Sequence, residues 1–215
     1  MGGIAPVKGV LDRAVKWARG ARHLHSRPID IVVMCTGNIC RSPMAEALLR
    51  QRLASRGVAA RVSSAGLLLD HEPADAHAVE VMAGLGLDLT GHRSRILDAP
   101  LVAGTDLLIG MEQRHIREAV LLQPDVFARA FTLPDLVARA EAAGPRGTEP
   151  FPDWLATLGQ DRKRVDVFRQ DRRLEVADPI GGSRRAFRRT ADELADLLDR
   201  FVALAWSDDR ATGHH

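Results

Sequence analysis

An uninterrupted apolar run, Ile31-Val32-Val33-Met34, passes directly into Cys35-Thr36-Gly37-Asn38-Ile39-Cys40-Arg41-Ser42. The helix-forming stretch Pro43-Met44-Ala45-Glu46-Ala47-Leu48-Leu49 follows. The order prescribes a buried strand, a tight loop and a helix in immediate succession. Backbone N–H groups in such a loop converge on one point, and the helix N-terminus adds positive potential there. That point suits a dianionic oxyanion such as phosphate. A thiol opens the loop and a guanidinium closes it. The field favours the thiolate form of Cys35, which is the nucleophile. Arg41 can hold two oxygens bidentately and stabilise charge through a transition state.

The rest of the chain repeats the strand-then-helix rhythm. Ala60–Ser64 reads as a second strand, and Ala74–Leu85 as a helix with Ala78, Val79 and Met82 inward. Asp106–Gly110 is a third strand, followed by helix Glu112–Leu122, and Ala128–Leu133 is a fourth. Ser183 stands as N-cap to a final helix whose stripe is Phe187, Leu194, Leu197, Phe201 and Leu204. Strands alternating with helices give an α/β fold, here a four-stranded, doubly wound parallel sheet with helices on both faces. Ligands in such sheets bind at the carboxyl ends of the strands, where Cys35 stands.

Two stretches break the rhythm. Residues 1–28 form a helical extension in which Val10–His23 sets Leu11, Ala14, Val15 and Ala18 against Arg13, Lys16, Arg19 and Arg22. That face reads as docked or solvated; its apolar side is thin for an anionic membrane surface. Within a domain spanning 29–206, residues 144–174 read as an insertion. Gly144, Pro145, Gly147, Pro150 and Pro152 interrupt regular structure, and Trp154, Val165, Val167 and Phe168 are scattered among arginines. A mobile or solvated excursion, or a lid, is the expectation. Residues 207–215 form a polar tail.

Composition narrows the class. A net charge of +2 leaves no nucleic-acid footprint. Two cysteines argue against a disulfide scaffold, and a working thiol favours a reducing, cytoplasmic setting. No apolar run reaches the length of a membrane span, and the N-terminus lacks the pattern of a secretory signal. No histidine pair has metal-ligand context; His71, His77 and His115 read as surface residues. Neither metal nor cofactor is required, because the loop and Arg41 supply the positive charge.

The Cys-x5-Arg spacing alone carries little. With three lysines among 30 basic residues, arginine fills 27 positions, about one in eight. The full string in its strand–loop–helix context resembles the signature loop of the low-molecular-weight protein tyrosine phosphatases, whose wider superfamily includes arsenate reductases. The resemblance covers roughly residues 29–143 and 174–205. It implies a phosphomonoester hydrolase working through a phosphocysteine, with protein phosphotyrosine as the leading substrate class among phosphorylated proteins and small phosphomonoesters. Cys35 is the implied nucleophile. Thr36, Gly37, Asn38, Ile39 and Cys40 complete the cradle with Arg41. Asp178, in Asp178-Pro179 before the last helix, matches the family's general acid, which protonates the leaving oxygen and then deprotonates water. Asn38, Ser42, Ser64 and His92 occupy the positions of the family's loop-ordering residues. Asn38 and Gly37 suit left-handed backbone. Cys40 stands where redox-controlled relatives capture an oxidised nucleophile, against the plainer reading of a small buried residue.

The chain departs from the family's pattern around the mouth. Ile180 and Gly181 stand where aromatics usually follow Asp-Pro, and Leu67-Leu68-Leu69-Asp70-His71 lacks the aromatic of the opposite wall. Two alternatives remain at this level: arsenate reduction, for which Cys40 is the only other thiol, and non-catalytic binding of phosphate or phosphopeptide. Oligomeric state is not legible.

Overall fold

The computed structural model describes residues 27–168 and 171–207. The helix expected over 10–23 and the tail beyond Ser207 lie outside them. Four parallel strands form one sheet: β1 (Ile29–Met34), β2 (Ala60–Ala65), β3 (Leu107–Gly110) and β4 (Ala130–Thr132), in the order β2-β1-β3-β4. Helices α1 (Arg41–Ser55), α2 (Ala76–Ala83), α3 (Ala99–Gly104), α4 (Gln113–Leu122), α5 (Leu133–Ala143), α6 (Phe151–Gly159) and α7 (Arg184–Ala205) surround it.

The apolar run of β1 is uniform because both its faces are covered. Ile31 and Val33 enter one core with Leu48, Phe131, Leu194 and Phe201 from α1, β4 and α7. Val32 and Met34, pointing the other way, join Val102, Leu108, Ile116 and Ala119 from α3, β3 and α4. The central strand is therefore fixed from both sides, and so is the Cys35 backbone at its end. Register places Val33 beside Ser64 on β2 and Ile109 on β3.

The strand expectations held, with boundaries shifted by a residue or two. Pro124–Arg129 is 3-10 helix, so the fourth strand is shorter than Ala128–Leu133, and Leu133 already opens α5. Val79 is only partly buried, whereas Val81 is fully buried.

The reading of 144–174 as a solvated excursion or lid is corrected over Phe151–Gly159. Phe151, Trp154, Leu155 and Leu158 of α6 are all buried in the main core. Their i, i+3, i+4, i+7 spacing makes one apolar helix face. Phe151 stacks on Trp206 with centroids 5.0 Å apart, and Trp154 packs on Phe201 at 6.2 Å. Pro150 is the N-cap and Pro152 lies in the first turn, where a missing N–H costs nothing. The prolines start a helix here instead of excluding one.

Candidate active site

Cys35 directly follows β1 and is 2% exposed. Its sulfur accepts the Asn38 N–H at 3.2 Å and lies 3.0 Å from Ser42 Oγ. Asn38 Nδ2 donates to Ser42 Oγ at 2.9 Å and to Ser64 Oγ at 2.8 Å. Because Ser42 Oγ already accepts one N–H, its own proton is free to point at the sulfur. Two donors thus converge on Cys35, an arrangement suited to an anionic sulfur.

Asn38 is the hub of this network. It is fully buried, with φ of 53° in the left-handed region expected of it. Its Oδ1 accepts the Arg95 N–H at 3.0 Å, and its carbonyl accepts His92 Nε2–H at 2.6 Å. One side chain therefore ties the loop to β2 and to the 92–95 segment. Gly37 is not left-handed, contrary to expectation. Its need is space: a Cβ there would stand 3.2 Å from Leu69 Cδ1. Gly66 is constrained harder, since a Cβ would meet Asn38 N and Thr36 O at 2.8 Å.

Arg41 is among the largest fully buried side chains. Its Nη1 donates to Glu112 Oε1 at 2.5 Å and to the Val176 carbonyl at 3.0 Å. Its Nη2 donates to Asp178 Oδ2 at 2.6 Å. Nε is buried and makes no hydrogen bond. A buried guanidinium needs paired charge, and two carboxylates provide it. The N–H that they leave over is available to a ligand oxygen.

Three neighbours of the loop were not singled out from the sequence: Glu112, Arg114 and His115. The surface reading of His115 is corrected, because it is 0% exposed. His115 Nδ1 accepts the Glu112 backbone N–H at 2.9 Å, so its proton sits on Nε2, 3.2 Å from Thr36 Oγ1. Burial pushes its pKa down to about 3, and it remains a neutral donor. Arg114 also donates to Thr36 Oγ1, at 2.5 Å. Burial opposes ionisation of Glu112, yet hydrogen bonds from Arg41 and Arg114 prevail and hold its carboxyl below the ordinary range. The signal was the Glu112-x-x-His115 spacing, in which helix positions N-cap and N3 reach each other.

Cys35, Thr36, Gly37, Ile39, Cys40, Arg41 and Asp178 line one cavity of about 200 Å³, with Leu68, Leu69 and Ile180 as outer walls. The three expected reacting groups therefore meet, while Asn38, Ser42, Ser64 and His92 brace the loop from behind. The mouth is aliphatic. Cys40 is buried and unpaired; burial, with the Asp75 charge, holds its thiol above the usual range. Among the described residues no cluster of three His, Cys, Asp or Glu side chains could hold a metal ion.

An anion cradle opened by a thiol at the carboxyl end of a central parallel strand defines a class of α/β phosphatases. The sequence model described as low molecular weight phosphotyrosine protein phosphatase matches residues 30–151, and the chain belongs to that family of enzymes. It is 42% identical over 118 residues to the low molecular weight protein-tyrosine-phosphatase Etp of Escherichia coli K12, covering 54% of this chain and 76% of Etp. It is 30% identical over 184 residues to the protein-arginine-phosphatase of Bacillus subtilis 168, covering 85% of this chain and all of the relative. The structure superposes with a TM-score of 0.64 on a YwlE arginine phosphatase mutant carrying a phosphorylated active-site serine. Identity there is 28%, with 85% of this chain and 99% of that one covered. The low molecular weight protein tyrosine phosphatase of T. tengcongensis superposes at 0.62, with 28% identity and coverage of 81% and 97%.

Proposed function

We propose that this chain hydrolyses phosphotyrosine in protein substrates through a phosphocysteine. The observation that carries the reading is the convergence of Cys35, Arg41 and Asp178 on one cavity with apolar outer walls. A phosphoryl group fits the cradle, and Ile39, Leu68 and Ile180 offer a flat leaving group aliphatic contact in place of aromatic stacking.

Cys35 attacks phosphorus as the thiolate, held by the Asn38 N–H and the Ser42 hydroxyl. The loop amides and the free Nε of Arg41 take the equatorial oxygens. As the P–O bond breaks, Asp178 gives its proton to the phenolate oxygen. In the second half, Asp178 takes a proton from water, which attacks phosphorus and breaks the S–P bond. Before phosphate arrives the Asp178 carboxylate is paired with Arg41; binding redirects it from the cation towards the leaving oxygen, and there it takes up from solvent the proton that it then donates.

A second reading has its own support. The relative aligned over its whole length is an arginine phosphatase, and an aliphatic mouth does not demand an aryl group. Comparing kcat/KM on otherwise identical phosphotyrosine, phosphoarginine and phosphoserine peptides decides it. Phosphotyrosine preference supports the first reading, and phosphoarginine preference replaces it with the second. Arsenate reduction lacks a relay, since Cys40 is the only other thiol.

The cytoplasm is the proposed setting, because a nucleophilic thiol works reduced. Redox control belongs to the same proposal: peroxide oxidises Cys35 to the sulfenic acid, and the Cys40 thiol displaces water to form a disulfide. Reversible inactivation with a mapped Cys35–Cys40 bond supports it. A Cys40→Ser variant that recovers as fully as the parent overturns it.

A further inference from the structure

The cavity's lip at Ile180 is followed, four residues on, by a cluster of cations. Arg184, Arg185 and Arg189 of α7 are exposed and Arg188 partly so. Arg184, Arg185 and Arg188 line a cleft of about 310 Å³. The chain between lip and cleft is a tight turn, with Gly181 at φ of 72° and the Gly182 N–H donating to the Pro179 carbonyl at 2.9 Å. Four residues span at most about 14 Å, and this turn spans less.

Several surface arginines elsewhere have counter-ions: Arg52 with Asp199, Arg61 with Asp30, Arg200 with Glu141. Here Arg184 pairs with Glu80 at 3.0 Å, while Arg185, Arg188 and Arg189 form no ion pair among the described residues. Their position adds to the cost. They sit in the first two turns of α7, where the helix end is already partly positive and where no acidic residue occurs in the first turn. Stability does not explain four cations there. The Ile180 side of the mouth therefore continues into a cationic surface.

We infer that the Arg184–Arg189 cleft is a docking surface for acidic side chains flanking the phosphorylated residue of a protein substrate. This rests on the phosphotyrosine reading above. Acidic groups about two to five residues from the phosphotyrosine reach the cleft in an extended segment. Complementary rim charge acts on capture and orientation, not on bond breaking.

The test compares two phosphotyrosine peptides that differ only in three Glu against three Gln on one side, with the full chain and an R185Q/R188Q/R189Q variant. The parent should favour the acidic peptide by about tenfold in kcat/KM, through KM, and about 0.5 M salt should erase the preference. The variant should treat the peptides within about twofold, with turnover of p-nitrophenyl phosphate unchanged. Equal treatment by the parent overturns the inference, as does an equal loss on both peptides in the variant. If p-nitrophenyl phosphate is hydrolysed but neither peptide is, the phosphotyrosine reading fails separately. Docking is then read from anisotropy of the labelled unphosphorylated acidic peptide: about tenfold weaker binding to the variant supports it, and equal binding overturns it. Cleft-dependent binding to phosphatidylserine vesicles without peptide preference assigns the patch to a membrane and overturns it too.

Discussion

The phosphate loop and the segment built around α6 both interrupt the strand–helix alternation, yet they are held by opposite means. The loop is fixed by polar groups: Asn38 alone bonds to Ser42, Ser64, His92 and Arg95. The segment is fixed by apolar area, with Phe151, Trp154, Leu155 and Leu158 buried against Phe201 and Trp206. Directional bonds specify geometry while contributing little net stability each, whereas burial contributes stability and specifies position loosely. One region should control rate and the other stability, and substitutions can separate them.

The largest effect expected is for Cys35→Ser. Turnover should fall about 10⁴-fold or more, because a neutral hydroxyl replaces the nucleophile. Vanadate binding, measured by titration, should persist through the loop amides and Arg41. Substantial turnover would refute the covalent route. Asp178→Asn should cost about 10²–10⁴-fold on tyrosyl phosphates and much less on p-nitrophenyl phosphate, whose leaving group needs little protonation. Equal losses across leaving groups would make Asp178 structural.

Trp154→Ala should reverse the pattern, lowering stability by about 3–5 kcal/mol in denaturant melts while kcat at low temperature stays near the parent's. A large kcat loss without destabilisation would break the division between the two regions. Glu112→Gln should give roughly a tenfold loss in kcat/KM, since Arg41 then leans on Asp178 alone. That loss should grow with leaving-group pKa.

A further effect concerns acid. His115 is held neutral in the fold down to about pH 3, whereas the unfolded chain takes up its proton near the ordinary value of 6.5. Below that value the unfolded state binds more protons, so stability contributed by the neutral ring declines as pH falls from about 6.5 towards 3. His115→Asn should flatten that part of the stability–pH curve, and an unchanged slope would refute the buried neutral ring.

Much of the site was legible because its chemistry is written in consecutive residues. Ile31–Ser42 carries strand, cradle, nucleophile and cation in one string, and Asp178-Pro179 completes it. His115 was not legible as a lone histidine, since its partner Thr36 is 79 positions away. The misreading of Phe151–Leu158 is different in kind. Its helical spacing was present, but Pro150 and Pro152 were weighed as breakers when, at a first turn, they favour initiation. The Gly37 error has a similar root: a glycine can serve conformation or clearance, and only the neighbour Leu69 decides.

The separation between Arg41 and Asp178, 137 positions in sequence and 2.6 Å in space, has a consequence in time. A ribosome working at about 5–20 residues per second needs roughly 7–30 s to pass from one to the other. Throughout that interval the nascent chain holds the proposed nucleophile and cradle but not the proposed proton donor, and α7, which packs into the main core, is still unmade. On the proposed roles, catalytic competence therefore waits for Asp178 and for α7. An interrupted or truncated chain carries the signature loop and lacks the enzyme.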